Sequence, residues 1–76
     1  MNIKGIKASF VLTDYQSKIY VSARSIDEVN VQLIMERMGG GGHLNIAACQ
    51  MEGVGLAEAI GELKDTIDVM LENKEI

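Results

Sequence analysis

Between Lys18 and His43 the chain reads KIYVSARSIDEVNVQLIMERMGGGGH, and its hydrophobic repeat changes within those residues. In Lys18–Arg24, Ile19, Val21 and Ala23 alternate with Tyr20, Ser22 and Arg24, the period of a strand with one buried face. Val31, Ile34 and Met38 then recur at three- and four-residue steps, with Met35 beside them, as on an amphipathic helix. Glu28, Gln32, Glu36 and Arg37 take its wetter side, and Leu33 widens the apolar arc. Ser25 or Asp27 is placed to cap this helix, and Asp27 and Glu28 put negative charge in its first turn, where the helix dipole favours it. Gly39–Gly42 stop it, because ordering glycine costs entropy and gains no side-chain packing.

The flanks follow from this centre. Lys7–Thr13, with Ala8, Phe10, Val11 and Leu12, reads as a strand preceding the first. The polar run Asp14-Tyr15-Gln16-Ser17 joins the two as a hairpin, which puts Arg24 far from the turn. Downstream, Leu44–Cys49 reads either as a short helix or as the start of a strand. The small Ala47 and Ala48 favour a helical turn over Leu44–Ala48, followed by a strand over Cys49–Glu52. Gly53 and Gly55 mark a turn. From Leu56 onward, Ala59, Ile60, Leu63, Ile67, Met70 and Leu71 repeat at helical spacing, the clearest amphipathic signal in the chain. Gly61 within it points to a close helix–sheet contact, and Glu72–Glu75 is expected to fray. The fold class is α/β, a small mixed β-sheet with helices packed on it. Residues 1–76 are expected to form one domain, and the absence of a polar preamble before Ile3 leads us to expect a fragment of a longer chain. Three strands make a thin sheet, so a neighbouring domain or partner edge is expected to complete its burial.

Composition excludes several classes. The chain has 76 residues, 47% of them hydrophobic and 24% charged, with no proline, which is the balance of a folded domain. One cysteine, Cys49, rules out an internal disulfide, and with one histidine it cannot build a structural zinc site. No apolar run has the length of a membrane span or the form of a signal peptide. The reading is a soluble domain in a reducing compartment. The net charge of -4 is uneven. Residues 1–25 carry Lys4, Lys7, Lys18 and Arg24 against Asp14, whereas residues 26–76 carry ten carboxylates against three cations. That balance is wrong for long duplex nucleic acid, which demands a broad basic stripe, yet leaves room for a small anionic ligand.

The run Gly39-Gly40-Gly41-Gly42-His43 exceeds what a helix stop requires. Glycine amides in succession can form an anion nest, and a helix beginning at Leu44 would aim further N–H groups at the same place. His43 is then placed to meet a phosphate or a base. The plain alternative is a flexible loop with an exposed histidine. The run is neither a Walker loop, since no Lys-Ser or Lys-Thr follows, nor a spaced dinucleotide fingerprint. Arg24, flanked by Ser22 and Ser25, offers a guanidinium that can hold phosphate with two bonds, or else is a solvent-facing arginine. Tyr15 and Tyr20 can stack on a base or serve in turn and edge packing. Asp65, Asp68, Glu72 and Glu75 read as a solvated helix face, and Cys49 as a core residue in place of a nucleophile paired with His43. No catalytic set is visible.

The pattern Ser22-Ala23-Arg24-Ser25, Asn30-Val31, Gly39-Gly40-Gly41-Gly42-His43 and Ala47-Ala48 resembles the C-terminal DHH-associated (DHHA1-type) domain of the DHH-family phosphoesterases. Its nearest likeness is to the version in membrane-anchored bacterial cyclic-di-AMP phosphodiesterases, from about Gly5 to Lys74. The resemblance implies a substrate-binding module, inactive alone. An attached DHH domain would hold manganese and hydrolyse cyclic-di-AMP to pApA. It assigns substrate contact to Gly40, Gly41, Gly42 and His43, and terminal-phosphate contact to Arg24 and Ser25. It places the module on the cytoplasmic side of the membrane. The alternatives are the binding module of an oligoribonuclease or of a pAp-phosphatase-like enzyme, acting on short nucleotides, or a structural interaction domain. The sequence departs from relatives at Cys49, at Asn45-Ile46, and in lacking a helix ahead of the first strand. That last omission would expose apolar sheet and favour a homodimer.

Overall fold

The alternating segments form the expected hairpin. In the computed structural model, which describes residues 6–26 and 29–76, β1 (Ala8–Tyr15) and β2 (Lys18–Ser25) pair antiparallel from Ala8↔Ser25 to Tyr15↔Lys18. Both strands run slightly longer than their hydrophobic cores suggested, because the turn is only two residues. Gln16 and Ser17 make it with φ of 51° and 63°, the left-handed pair that matches the twist of a tight hairpin.

The first helix, α1 (Val31–Arg37), starts later than expected. Ser25 instead closes β2, Asp27 and Glu28 lie outside the described residues, and the cap is Asn30. Its side-chain oxygen accepts the Leu33 N–H at 3.3 Å, satisfying one of the unpaired amides of the first turn. Val31, Ile34 and Met35 are buried and Met38 is half-buried. Leu33 does not widen the apolar arc; it is exposed. The helix stops where the glycines begin: Gly39 turns at φ 91°, its N–H donating to Glu36 O and the Gly40 N–H to Met35 O.

The main departure from the sequence reading comes next. No helical turn forms over Leu44–Ala48; β3 (Gly41–His43) and β4 (Ile46–Glu52) make a second hairpin around Leu44-Asn45. Close approach explains the difference. A β carbon on Gly40 would lie 2.1 Å from Ala48 O, and one on Gly42, at φ 146°, 2.5 Å from Ala47 Cα. Glycine at these two positions lets the chain lie flat against β4, and the alanines supply a strand instead of a helix. The turn is fastened at both ends, Leu44 O accepting from the Val31 N–H at 3.0 Å and Asn45 O from the Ser25 N–H at 2.9 Å.

The sheet order is β1-β2-β4-β3, four strands with every pairing antiparallel, the fourth drawn from the glycine run itself. Both helices pack on one side of it, giving the α/β layer read from the sequence. Gly53, at φ 75°, leads to Gly55, which stands at the N-cap of α2 (Leu56–Glu72). Ala59, Leu63, Ile67 and Met70 of α2 join Ala8, Phe10, Ile19, Val21, Ala23 and Cys49 in a single core. The contact expected at Gly61 is not made, since a β carbon there would meet nothing within 4 Å. The end of α2 is held, not frayed, as the Glu75 N–H donates to Met70 O and the Glu75 carboxylate pairs with Arg37.

Candidate functional site

The helices cover one face of the sheet and leave the other open. Because strand side chains alternate, the residues opposite the core set fall into cross-strand rows. One row runs Ser9, Arg24, Ile46, His43 across β1, β2, β4 and β3. The next is Val11, Ser22, Ala48, Gly41, and the third Thr13, Tyr20, Gln50. Arg24 and His43, nineteen residues apart in the chain, thus share a row with only Ile46 between them. Sequence spacing gave no sign of this.

The first two rows, His43 excepted, line an open hollow of about 590 Å³, whose walls include Ser9, Ser22, Arg24, Gly41, Gly42, Ile46 and Ala48. Its floor is low because Ala48 carries one methyl and Gly41 none. Gly41 differs from Gly40 and Gly42, for a β carbon there would meet nothing within 4 Å and its φ is not left-handed. The fold does not demand glycine at that position, whereas an unobstructed hollow does. Arg24 is exposed, and no carboxylate pairs with it among the described residues. On the open face the strands offer one carboxylate, Glu52, which pairs with Lys18 at 3.4 Å. The acidic side chains Glu58, Glu62, Asp65, Asp68 and Glu72 lie on α2, in the layer behind the sheet. An anion approaching the open face meets Arg24 with few competing negative charges.

Other expected site residues fall elsewhere. Ser25 stands in register with Ala8 on the helix-facing side, so the serine hydroxyls that share the Arg24 face are Ser9 and Ser22. Gly40 and Gly42 serve the close approach to β4, Gly42 also lining the Arg24 hollow, and the Gly39 and Gly40 amides are spent on α1 carbonyls. With no helix at Leu44, the anion nest loses that second set of donors, and in β3, an edge strand, only alternate amides face outward. Ile46 lies in the centre of the Arg24–His43 row. Cys49 faces the core, opposite in direction to His43, and its thiol pKa is pushed up by burial and then by the charge of Glu62. The two cannot act as nucleophile and base. Among the described residues, no three His, Cys, Asp or Glu side chains gather as a metal site would require. Manganese does not fit these residues, and no step here runs through it. Among the described residues, no helix is long and apolar enough to cross a membrane.

The described residues form a layered α/β domain with one open, cation-bearing sheet face. The comparisons identify its kind: the sequence profile of the DHHA1 domain matches residues 1–73, and the chain belongs to that family. It is 48% identical over 69 residues to the cyclic-di-AMP phosphodiesterase PdeA of Listeria monocytogenes, covering 90% of this chain and 10% of that protein. It is 45% identical over 74 residues to the cyclic-di-AMP phosphodiesterase GdpP of Bacillus subtilis, covering 95% and 11%. A membrane protein–large ribosomal subunit bL9 fusion protein of Onion yellows phytoplasma is 43% identical over 76 residues, 99% of this chain and 9% of that one. The chain therefore spans about a tenth of the length of the curated relatives it matches.

Proposed function

We propose that this chain is the substrate-gripping domain of a cyclic-di-AMP phosphodiesterase, one piece of a longer protein whose DHH domain carries manganese and performs the hydrolysis to pApA. The observation that carries the reading is the Ser9–Arg24–Ile46–His43 row on an open, uncovered face. Arg24 takes a phosphate through its planar donor pair, His43 donates to the same phosphate or to a base edge, and Ser22 adds a hydroxyl. Gly41 keeps the floor clear, while Gly40 and Gly42 act by seating β3 on β4. Ser25 anchors the hairpin through its N–H.

Two further features support the arrangement. Val11 and Ile46, 59% and 47% exposed on the open face, are apolar surface that an apposed catalytic domain would cover. The relatives named as cyclic-di-AMP phosphodiesterases support the substrate class, and the relative named as a membrane protein fusion supports a membrane setting, in which this domain would lie on the cytoplasmic side. The test is kcat/KM for cyclic-di-AMP in the full-length protein carrying Arg24→Ala or His43→Ala. Loss of a charged hydrogen bond is worth roughly 1.5–3 kcal/mol, so Arg24→Ala lowers kcat/KM about ten- to a hundredfold with the melting temperature unchanged. Activity indifferent to both substitutions refutes the proposal.

A further inference from the structure

Beside the hollow at Arg24 lies a second one, of about 420 Å³, lined by Tyr20, Val21, Ser22, Gly39, Gly40, Ala48, Cys49 and Gln50. The two share Ser22 and Ala48 and so adjoin each other along the sheet. Their chemistry differs. The first has a guanidinium, whereas none of the residues lining the second bears a charge at neutral pH. The neutral hollow is unsuited to phosphate and suited to a flat, uncharged group with a polar edge.

Tyr20 and Gln50 are direct cross-strand partners on the open face. The Gln50 carboxamide is exposed and makes no hydrogen bond among the described residues, so its donor and acceptor are both available. Gly39 and Gly40 leave the neighbouring wall without side chains. Tyr20 lies four residues before Arg24 on β2, about 13 Å along the strand at a rise near 3.3 Å per residue. A dinucleotide whose phosphate is held at Arg24 has this adjoining neutral hollow on the Tyr20 side to receive a base.

We infer that Tyr20 and Gln50 form a nucleobase subsite selective for adenine, a specificity element that rests on the phosphate-gripping reading above. A tyrosine ring offers any base a stacking surface and does not discriminate. A carboxamide does: it accepts from the adenine 6-amino group while donating to N7, an arrangement that guanine, with acceptors at both positions, cannot complete. Tyr20 supplies affinity and Gln50 supplies choice.

The test compares kcat/KM for cyclic-di-AMP with that for cyclic-di-GMP in the full-length protein, with pApA and pGpG as competing ligands. The expected result is an adenine preference in the unmodified protein that falls about tenfold or more in Gln50→Leu, whereas the nearly isosteric, acceptor-only Gln50→Glu loses the bond to N7 and weakens adenine but keeps the preference, because guanine offers it no donor. Tyr20→Ala weakens both nucleotides alike and Tyr20→Phe restores them. If Arg24→Ala impairs activity but Gln50→Leu leaves the adenine-to-guanine ratio unchanged, the base subsite is overturned and the phosphate-gripping role stands. If the unmodified protein shows no adenine preference, the subsite is likewise overturned. If Arg24→Ala and His43→Ala are also silent, both readings fall.

Discussion

Substituting Gly40 by alanine separates glycines that the fold needs from the one that the open face needs. The new β carbon would lie 2.1 Å from Ala48 O, 2.5 Å from Cys49 Cβ and 2.7 Å from Cys49 Cα, all inside the 3.0 Å that β carbons respect. Two of these three atoms are backbone of β4, a strand paired on both sides, so no side-chain rotation relieves the overlap. Overpacking of this kind costs about 1–3 kcal/mol, and an immovable carbonyl places Gly40→Ala near the upper end. A domain of this size is stabilised by roughly 0.05–0.15 kcal/mol per residue, so the loss is a large fraction of the whole. At about 4–8 °C per kcal/mol, the melting temperature falls by roughly 12–24 °C. Gly41→Ala is the internal control, because its β carbon enters open space at an ordinary φ, and its stability stays within about 0.5 kcal/mol of the unmodified chain. Urea unfolding followed by circular dichroism measures both. Equal midpoints for Gly40→Ala and the unmodified chain, or an equal loss in Gly41→Ala, would refute the packing of β3 against β4 described above.

Two further outcomes follow from the same structure. Gly61 lies within α2 with free space at its β-carbon position, so Gly61→Ala raises stability by about 0.5–1 kcal/mol, read as a higher urea midpoint; a lower midpoint would show a helix–sheet contact after all. Cys49, buried and with its thiol pKa raised by burial first and Glu62 second, reacts with thiol reagents only as fast as the domain opens. The sign of its linkage is definite: the folded chain holds the proton more tightly than the unfolded one. Stability from this group is therefore full below the unfolded thiol's titration range and declines as pH rises through it towards the raised folded value. Native-state labelling as fast as that of the unfolded chain would contradict the burial.

Local periodicity was enough to establish much of this protein. The alternation of Ile19, Val21 and Ala23 with Tyr20, Ser22 and Arg24 already assigned each side chain to a face, since a strand leaves only two. The repeat from Ala59 to Met70 identified the buried stripe of α2, and the glycines ended α1 for reasons internal to the residues. Tertiary structure decided what depends on distant partners. Ala47 and Ala48 tolerate helix or strand, and only the close approach of Gly40 and Gly42 to β4 selects the strand. Ser25 and Ser22 look equivalent beside Arg24 until the pairing with Ala8 turns Ser25 towards the helices. Arg24 and His43 become neighbours through Ile46, a residue of a third strand, and the Tyr20–Gln50 pair exists only in the register of β2 with β4. Periodicity reports which way a side chain points, because that is a property of the local backbone; which side chains it meets is settled by strand order and register, which no local pattern encodes.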